Sequence, residues 1–177
     1  MTIKVFYTDK QSVDQGDQGF SNGIIKSPSA QKPAQIAEAL KDFPNIEFIE
    51  PHPITRDDIK LCHDAKYVDD IMDLKEENGF ANKSKEVSES LLYTNGAQYE
   101  AAKAATNENP TCALVSGFHH AGYKRWKGLG YFCTFNGLMI AATKLITENN
   151  VKKIAIIDCD MHWGNGTDNV LKYMPNI

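Results

Sequence analysis

The chain has 177 residues, of which 42% are hydrophobic and 24% charged, and its formal net charge is −4. These values predict one globular unit with a sizeable core, and they disfavour a membrane protein or a direct nucleic-acid ligand. Residues 1–7 turn polar too soon for a signal peptide, so we expect a cytoplasmic location.

Strands and helices alternate along the predicted chain. Short apolar or alternating runs predict strands at residues 3–7, 48–49, 111–116 and 153–158. The spacing of apolar side chains predicts helices at residues 33–40, 55–61, from His63 to the Asn78-Gly79 pair, 91–106 and 135–147. Residues 81–89 are charged and predict a solvated loop.

This alternation is typical of a parallel sheet with right-handed helical crossovers, and it predicts an α/β fold. Ligands in such sheets gather at the carboxyl ends of the strands. The polar motifs of this chain fall at two such ends. The four cysteines contain no C-x-x-C pair, and Cys133 is at most a thiol that lines the site.

The first motif follows the apolar run that begins at Ile154. Side chains alternate along a strand, so Asp158, Asp160 and His162 are expected on one side. Two carboxylates without a basic partner in this stretch repel each other, and a cation between them relieves the repulsion. Imidazole and carboxylate ligands suit zinc, and also iron or manganese. The structural alternative is an Asp or Thr that merely caps the next helix.

The second motif is the adjacent pair His119-His120, which follows the predicted strand 111–116. Neighbouring histidines point to different sides, so each needs its own acceptor to orient its ring. Asp158 and Asn165 are the candidate acceptors, one for each. By contrast, we interpret His63 as a helix-entry residue, because no second ligand stands at metal spacing from it.

Three ordered motifs together resemble the histone deacetylase and acetylpolyamine amidohydrolase family. They are His119-His120-Ala121, the Gly-Tyr-Phe-Cys-Thr-Phe-Asn stretch at 130–136, and residues 158–167, which run Asp-Cys-Asp-Met-His-Trp-Gly-Asn-Gly-Thr. The resemblance implies a three-layer arginase/deacetylase-like α/β fold with a mainly parallel sheet, incomplete at the C-terminus. Residues 1–177 are then the N-terminal part of one catalytic domain.

The resemblance also implies roles for the motif residues. Asp160 and His162 match two ligands of a catalytic zinc, and His119 and His120 match the tandem histidines beside it. Asp158 matches a residue that accepts a hydrogen bond from His119 and helps to bind a structural potassium ion. Asn165 matches the partner of His120.

The same resemblance places the substrate. Phe132 matches one wall of a narrow tunnel for an acylated amine chain, and Tyr131 replaces the glycine usual before it, which reshapes the entrance. Trp163 replaces a histidine common after the ligand. The expected reaction is zinc-assisted hydrolysis of an acetyl-lysine or acetylpolyamine amide, in which the tandem histidines act as base and acid.

One departure affects activity. No residue of this sequence matches the family's third metal-ligating Asp or its transition-state Tyr. The loss of one oxyanion donor typically costs about 100- to 1,000-fold in rate. We therefore expect little or no deacetylase activity from these 177 residues alone.

Three other functions compete with this interpretation. An arginase-like ureohydrolase would hold two manganese ions. A non-catalytic fragment would bind a partner, either another copy of itself or a complementing C-terminal fragment. A dinucleotide-binding domain is disfavoured, because no G-x-G-x-x-G follows the first strand.

Overall fold

A computed structural model of the chain describes residues 2–13, 28–105, 109–125, 132–149, 151–160 and 163–174. Two predicted site residues, Tyr131 and His162, lie outside the described residues. No helix within the described ranges combines the length and apolarity needed to span a membrane.

Three parallel strands form the described sheet: β1 (Ile3–Phe6), β2 (Ile46–Ile49) and β3 (Thr111–Ala113). Their order is β2-β1-β3, and the register places Val5 between Phe48 and Cys112. The predicted third strand is shorter than expected: the Leu114 N–H still donates to the Phe6 carbonyl at 3.2 Å, but the Leu114 carbonyl accepts from a side chain. The Gln11 amide donates a 2.8 Å hydrogen bond to the Leu114 carbonyl just beyond β3.

Helices cover both faces of this sheet, which gives the predicted three-layer α/β arrangement. Val5 packs with Ala37 on one face, whereas its neighbour Phe6 packs with Ala97 and Ala101 on the other. This follows from the alternation of side chains along a strand. The helices are α1 (Lys32–Leu40), α2 (Arg56–Lys60), α3 (Ala65–Met72), α4 (Lys85–Ala105), α5 (Gly137–Asn149) and α6 (Asn165–Leu171).

The largest core lies where α3, α4 and α5 meet. It contains fully buried apolar side chains from each of these helices, among them Val68, Leu91, Met139 and Ile140. The segment just before α5 contributes Phe135, whose ring meets the rings of His63 and Tyr67 edge-on. The core therefore lies directly against the segment that leads into α5.

Helix α4 corrects one prediction. Residues 81–89 were expected to form a solvated loop, but α4 begins at Lys85 and Val87 is only 1% exposed. The Ser84 hydroxyl accepts a 3.2 Å hydrogen bond from the Val87 N–H, which is an N-terminal cap. The high charge of this stretch belongs to the outer face of a helix whose inner face is buried.

The predicted strand 153–158 is a second correction. Residues 151–159 form no strand, and Ile157 is 85% exposed, whereas Ile154 and Ile156 pack against the main core. The expected alternation of sides therefore persists. A strand also needs a neighbour for its N–H and C=O groups, and the three-stranded sheet of the described residues does not include this segment.

Candidate functional site

The tandem histidines lie on the segment that follows β3. The rings of His119 and His120 are 3.9 Å apart between centroids, with their planes inclined at 36°. Each Nδ1 atom faces a different acceptor, as the sequence predicted. The two imidazoles are therefore held side by side but by separate partners.

His119 is held by a carboxylate. Its Nδ1 lies 3.1 Å from Oδ2 of Asp158, while Oδ1 of Asp158 accepts a 3.0 Å hydrogen bond from the Asp160 N–H. Partial burial opposes ionisation of Asp158, but these two hydrogen bonds outweigh it and lower the pKa of the carboxyl group. This contribution to stability is present above the unfolded-state pKa and is lost as the pH falls through the lowered value.

His120 is held by an amide, and this fixes its tautomer. Its Nδ1 lies 2.7 Å from Oδ1 of Asn165, and the same oxygen accepts a 2.8 Å hydrogen bond from the Gly166 N–H. Because a backbone N–H can only donate, the atom that it meets must be the amide oxygen. His120 Nδ1 must then carry the proton, which leaves Nε2 of the neutral ring as an acceptor.

Asp160 completes the described cluster. Ligand atoms of His119, His120 and Asp160 all lie within 4.8 Å of one another. A carboxylate beside two imidazoles is a donor set that suits zinc and related divalent ions. The described residues therefore fit a metal centre, whereas the predicted ligand His162 lies outside them.

Close backbone packing fixes α6 against the histidines. A methyl group at Gly166 would lie 2.4 Å from the His119 carbonyl oxygen and 2.7 Å from that of Ala121. Glycine is the only residue that permits this approach without displacement. Asn165, which precedes it, is thereby kept within reach of His120.

Phe132, the predicted tunnel residue, has a strained backbone. Its φ is 67°, which is unusual for a bulky residue, and its N–H donates a 2.8 Å hydrogen bond to the Gly79 carbonyl. Its ring lies 6.0 Å from that of Phe80. Gly117, with a φ of 66°, leaves room for the Phe132 carbonyl, which would lie 2.0 Å from any Cβ there.

Cys133 lies beneath the tandem histidines. Burial raises the pKa of its thiol to about 12, although the backbone N–H groups of His119, His120 and Ala121 act in the opposite direction. The thiol is therefore neutral and packs against the backbone of the histidine segment.

Sequence reasoning missed two buried residues that contact this segment. His63 is 2% exposed, and it bridges the Tyr123 carbonyl at 3.2 Å and the Asn136 N–H at 2.9 Å. Asn136 stands immediately before α5, which is the signal for a helix cap, but nothing in the sequence showed what else its amide would contact. His63 gave no such signal, because its burial arises from tertiary packing.

Comparison with known proteins gives the family. The family model described as histone deacetylase domain matches residues 27–177. The chain is 33% identical over 127 residues to Histone deacetylase 18 of Arabidopsis thaliana, covering 62% of this chain and 18% of that protein. It is 42% identical over 52 residues to acetylpolyamine amidohydrolase of Mycoplana ramosa, covering 29% of this chain and 14% of that protein.

A solved structure shows the same fold. The crystal structure of the HDA15 HD domain matches with a TM-score of 0.75 at 23% identity, covering 97% of this chain and 51% of that one. The chain thus spans about half of the solved domain and smaller shares of the two relatives. The matched family model covers most of the chain, and the chain belongs to the histone deacetylase domain family.

Proposed function

We propose that the protein is a zinc-dependent amidohydrolase that removes an acetyl or similar acyl group from a lysine or polyamine amine. Family membership supports deacetylase-type chemistry. The observation that carries the proposal is the pair of oriented imidazoles, His119 with Asp158 and His120 with Asn165, gathered beside the Asp160 carboxylate.

Asp160 and His162 would hold the metal ion, with zinc preferred and iron or manganese as alternatives. When bound, such an ion supplies Lewis-acid polarisation of the acyl carbonyl and makes water a better nucleophile at neutral pH. The chain's own contribution is to place proton-transfer groups next to it. The structural potassium ion is a separate proposal, with Asp158 as one of its ligands.

The hydrogen-bond partner of His119 is charged, whereas that of His120 is neutral. Asp158 is a carboxylate, so it stabilises a positive charge on His119, whereas the neutral amide of Asn165 gives His120 no such charge. We assign His120 as the general base, because donation from its Nδ1 to Asn165 places the acceptor lone pair of the ring on Nε2. We assign His119, which is hydrogen-bonded to the Asp158 carboxylate, as the group that protonates the departing amine.

The substrate is expected to enter past Phe132. An aromatic wall suits the aliphatic chain of an acylated lysine or polyamine, because it buries methylene groups without competing for hydrogen bonds. Acylated lysine and acylated polyamines both contain such an aliphatic chain, so Phe132 does not discriminate between the two classes of amine. Tyr131, beside it, is expected to narrow the entrance.

Metal binding is the primary test, because no residue is assigned to the third ligating Asp or the transition-state Tyr and turnover is expected to be slow. The metal-free chain is titrated with Zn²⁺ and with Co²⁺, whose visible spectrum reports its ligands. We expect one ion per chain and loss of binding in Asp160→Asn and His162→Ala. Asp57→Asn, on an exposed side chain, is the matched control. Equal affinity in all four proteins would contradict the proposal.

Turnover is measured with an acetyl-lysine peptide and with an acetylated polyamine. Any release of acetate should require the added metal and disappear in Asp160→Asn. A preference of tenfold or more between the two substrates would identify the amine class.

The arginase-like alternative predicts different chemistry at the same place. It requires two manganese ions per chain and release of urea from a guanidino substrate. Elemental analysis of the loaded protein separates the two, because the deacetylase proposal predicts a single catalytic ion.

A further inference from the structure

Asn136 contacts two segments of the site at once. Its side chain is fully buried, at 0% exposure, and its Oδ1 accepts a 3.1 Å hydrogen bond from the Met139 N–H, which caps α5. Its Nδ2 lies 3.0 Å from the Ala121 carbonyl, 3.3 Å from Oγ1 of Thr167 and 3.5 Å from the His119 carbonyl. One amide therefore joins the histidine segment to α6.

The backbone of Asn136 is fixed by His63. The Asn136 N–H donates to His63 Nε2 at 2.9 Å, and His63 Nδ1 donates to the Tyr123 carbonyl at 3.2 Å. Burial lowers the pKa of His63 to about 4, so its ring is neutral and offers one donor and one acceptor. The segment from His119 to Tyr123 is thus hydrogen-bonded to Asn136 near both of its ends, directly at His119 and through His63 at Tyr123.

The third contact of the amide reaches the helix that carries Asn165. Thr167 is two residues beyond Asn165, and Gly166 between them packs against the His119 and Ala121 carbonyls. A shift of α6 relative to the histidine segment would therefore stretch the 2.7 Å contact from His120 to Asn165.

We propose that Asn136, held in place by His63, is the positioning residue that keeps His119 and His120 in register with Asp158 and Asn165. The proposal rests on the proposed function only in taking these histidines to be the proton-transfer groups. Asn136 itself touches no substrate, and it acts through the backbone carbonyls of the histidine segment.

One substitution separates this role from simple helix capping. Asn136→Asp keeps the Oδ1 that caps α5, and aspartate is as good a cap as asparagine. It replaces the Nδ2 donor by an oxygen that faces the carbonyls of His119 and Ala121, which repel it. Asn136→Ala removes the cap and the donor together. If Asn136 is only a cap, the aspartate variant is harmless and the alanine variant is not.

The readout is the imidazole ¹⁵N spectrum of the metal-free chain, which distinguishes protonated from unprotonated ring nitrogens. In the wild type we expect Nδ1 of both His119 and His120 to be protonated. In Asn136→Asp we expect this pattern to be lost towards the opposite tautomer, with the proton on Nε2, which a free histidine side chain favours in water. The exposed His52 serves as an internal reference, because its partner is Glu100 on α4.

Asn95→Ala is the matched control, since Asn95 is 1% exposed and, among the described residues, its Nδ2 donates to the Leu91 carbonyl of its own helix. Its histidine spectrum should match the wild type.

Thr167→Val keeps the proposal testable if Asn136→Asp fails to fold. It preserves side-chain shape and removes only the acceptor on α6, so the resonances of His120 should shift while those of His119 change less. Wild-type spectra in a folded Asn136→Asp, or an unshifted His120 in Thr167→Val, would overturn the proposal. Because the spectra need neither metal nor substrate, absence of zinc binding in every variant would count against the proposed function alone.

Discussion

The two adjacent imidazoles of His119 and His120 have hydrogen-bond partners of different charge. His119 faces the oxygen of a carboxylate and His120 that of an amide, although both use Nδ1. The resemblance to the family predicted these pairings, with Asp158 as the partner of His119 and Asn165 as the partner of His120. It could not predict which proton each ring carries, since that depends on the Gly166 N–H that shares the Asn165 oxygen. Their catalytic roles stay predictions.

Asp158→Asn is expected to destabilise the fold at neutral pH by roughly 1.5–3 kcal/mol, the usual contribution of a hydrogen bond to a charged group. The carboxylate that accepts from His119 and from the Asp160 N–H is replaced by an amide, which has only one acceptor oxygen. Urea unfolding at pH 7 measures the loss. Asp57→Asn should change the free energy of unfolding little, and equal stability of the two variants would contradict this assignment.

The buried His63 should make the fold sensitive to acid. Its pKa is lowered to about 4 by burial, from 6.5, so the unfolded chain binds a proton between these values and the folded chain does not. Stability is therefore unaffected above pH 6.5 and declines as the pH falls towards 4, by up to about 1.4 kcal/mol per pH unit.

The variant His63→Asn isolates the contribution of His63 to acid sensitivity. The variant is less stable at pH 7, but the slope of its unfolding free energy between pH 6.5 and 4.5 should be shallower by close to one proton. Parallel slopes for the variant and the wild type would show that His63 is not the acid-sensitive group.

At the scale of elements, α6 and the histidine segment form a single packed unit. Gly166 and Gly164 lie on the same short stretch but have different surroundings. A methyl group at Gly164 would make only ordinary contacts, the nearest at 3.6 Å with Asp158, whereas one at Gly166 would overlap backbone atoms at 2.4–2.7 Å.

Gly166→Ala is therefore expected to cost roughly 1–3 kcal/mol, as overpacking does, and to shift the imidazole ¹⁵N resonances of His120 by moving its ring away from Asn165. Gly164→Ala should be close to wild type in both respects. Thermal unfolding and the imidazole ¹⁵N spectra of the pair give the result, and similar behaviour of the two variants would mean that α6 can move freely.

Elements were predicted well where the local pattern was strong and less well where a cap decided the outcome. The helix at 135–147 was confirmed as α5, shifted to Gly137–Asn149 because Asn136 caps it. The start of α4 was wrong, because the charged residues after Ser84 obscured a period that the Ser84 cap makes clear. The helix predicted at 55–61 was confirmed as α2, in which Thr55 and Asp58 form a capping box.

For the whole molecule, the family and the three-layer α/β class were predicted from the motifs and are confirmed. The fourth predicted strand was not found, for a physical reason. A continuous apolar run predicts burial on both faces, but Ile154 and Ile156 pack against the core whereas Ile157 is 85% exposed. Whether the run becomes a strand depends on a neighbour with free backbone groups, and a sequence pattern carries no information about that neighbour.

A bound ion should stabilise the entire fold, because the folded chain alone brings the ligands together. Zinc at 100 times its dissociation constant is expected to add about 2.7 kcal/mol and to raise the melting temperature. Asp160→Asn should abolish the increase, and a chelator should reverse it in the wild type. An equal shift in the variant would indicate binding elsewhere on the protein.

The parallel sheet also determines the order in which the chain can assemble. Lys4 pairs with Thr111, so the central strand cannot gain its second neighbour until β3 has been made. On the ribosome, β1 must wait with one edge open while α1 to α4 are synthesised, and only β2 can cover the other edge in the meantime. Closure of this sheet therefore depends on pairing between strands of high sequence separation, which typically forms slowly.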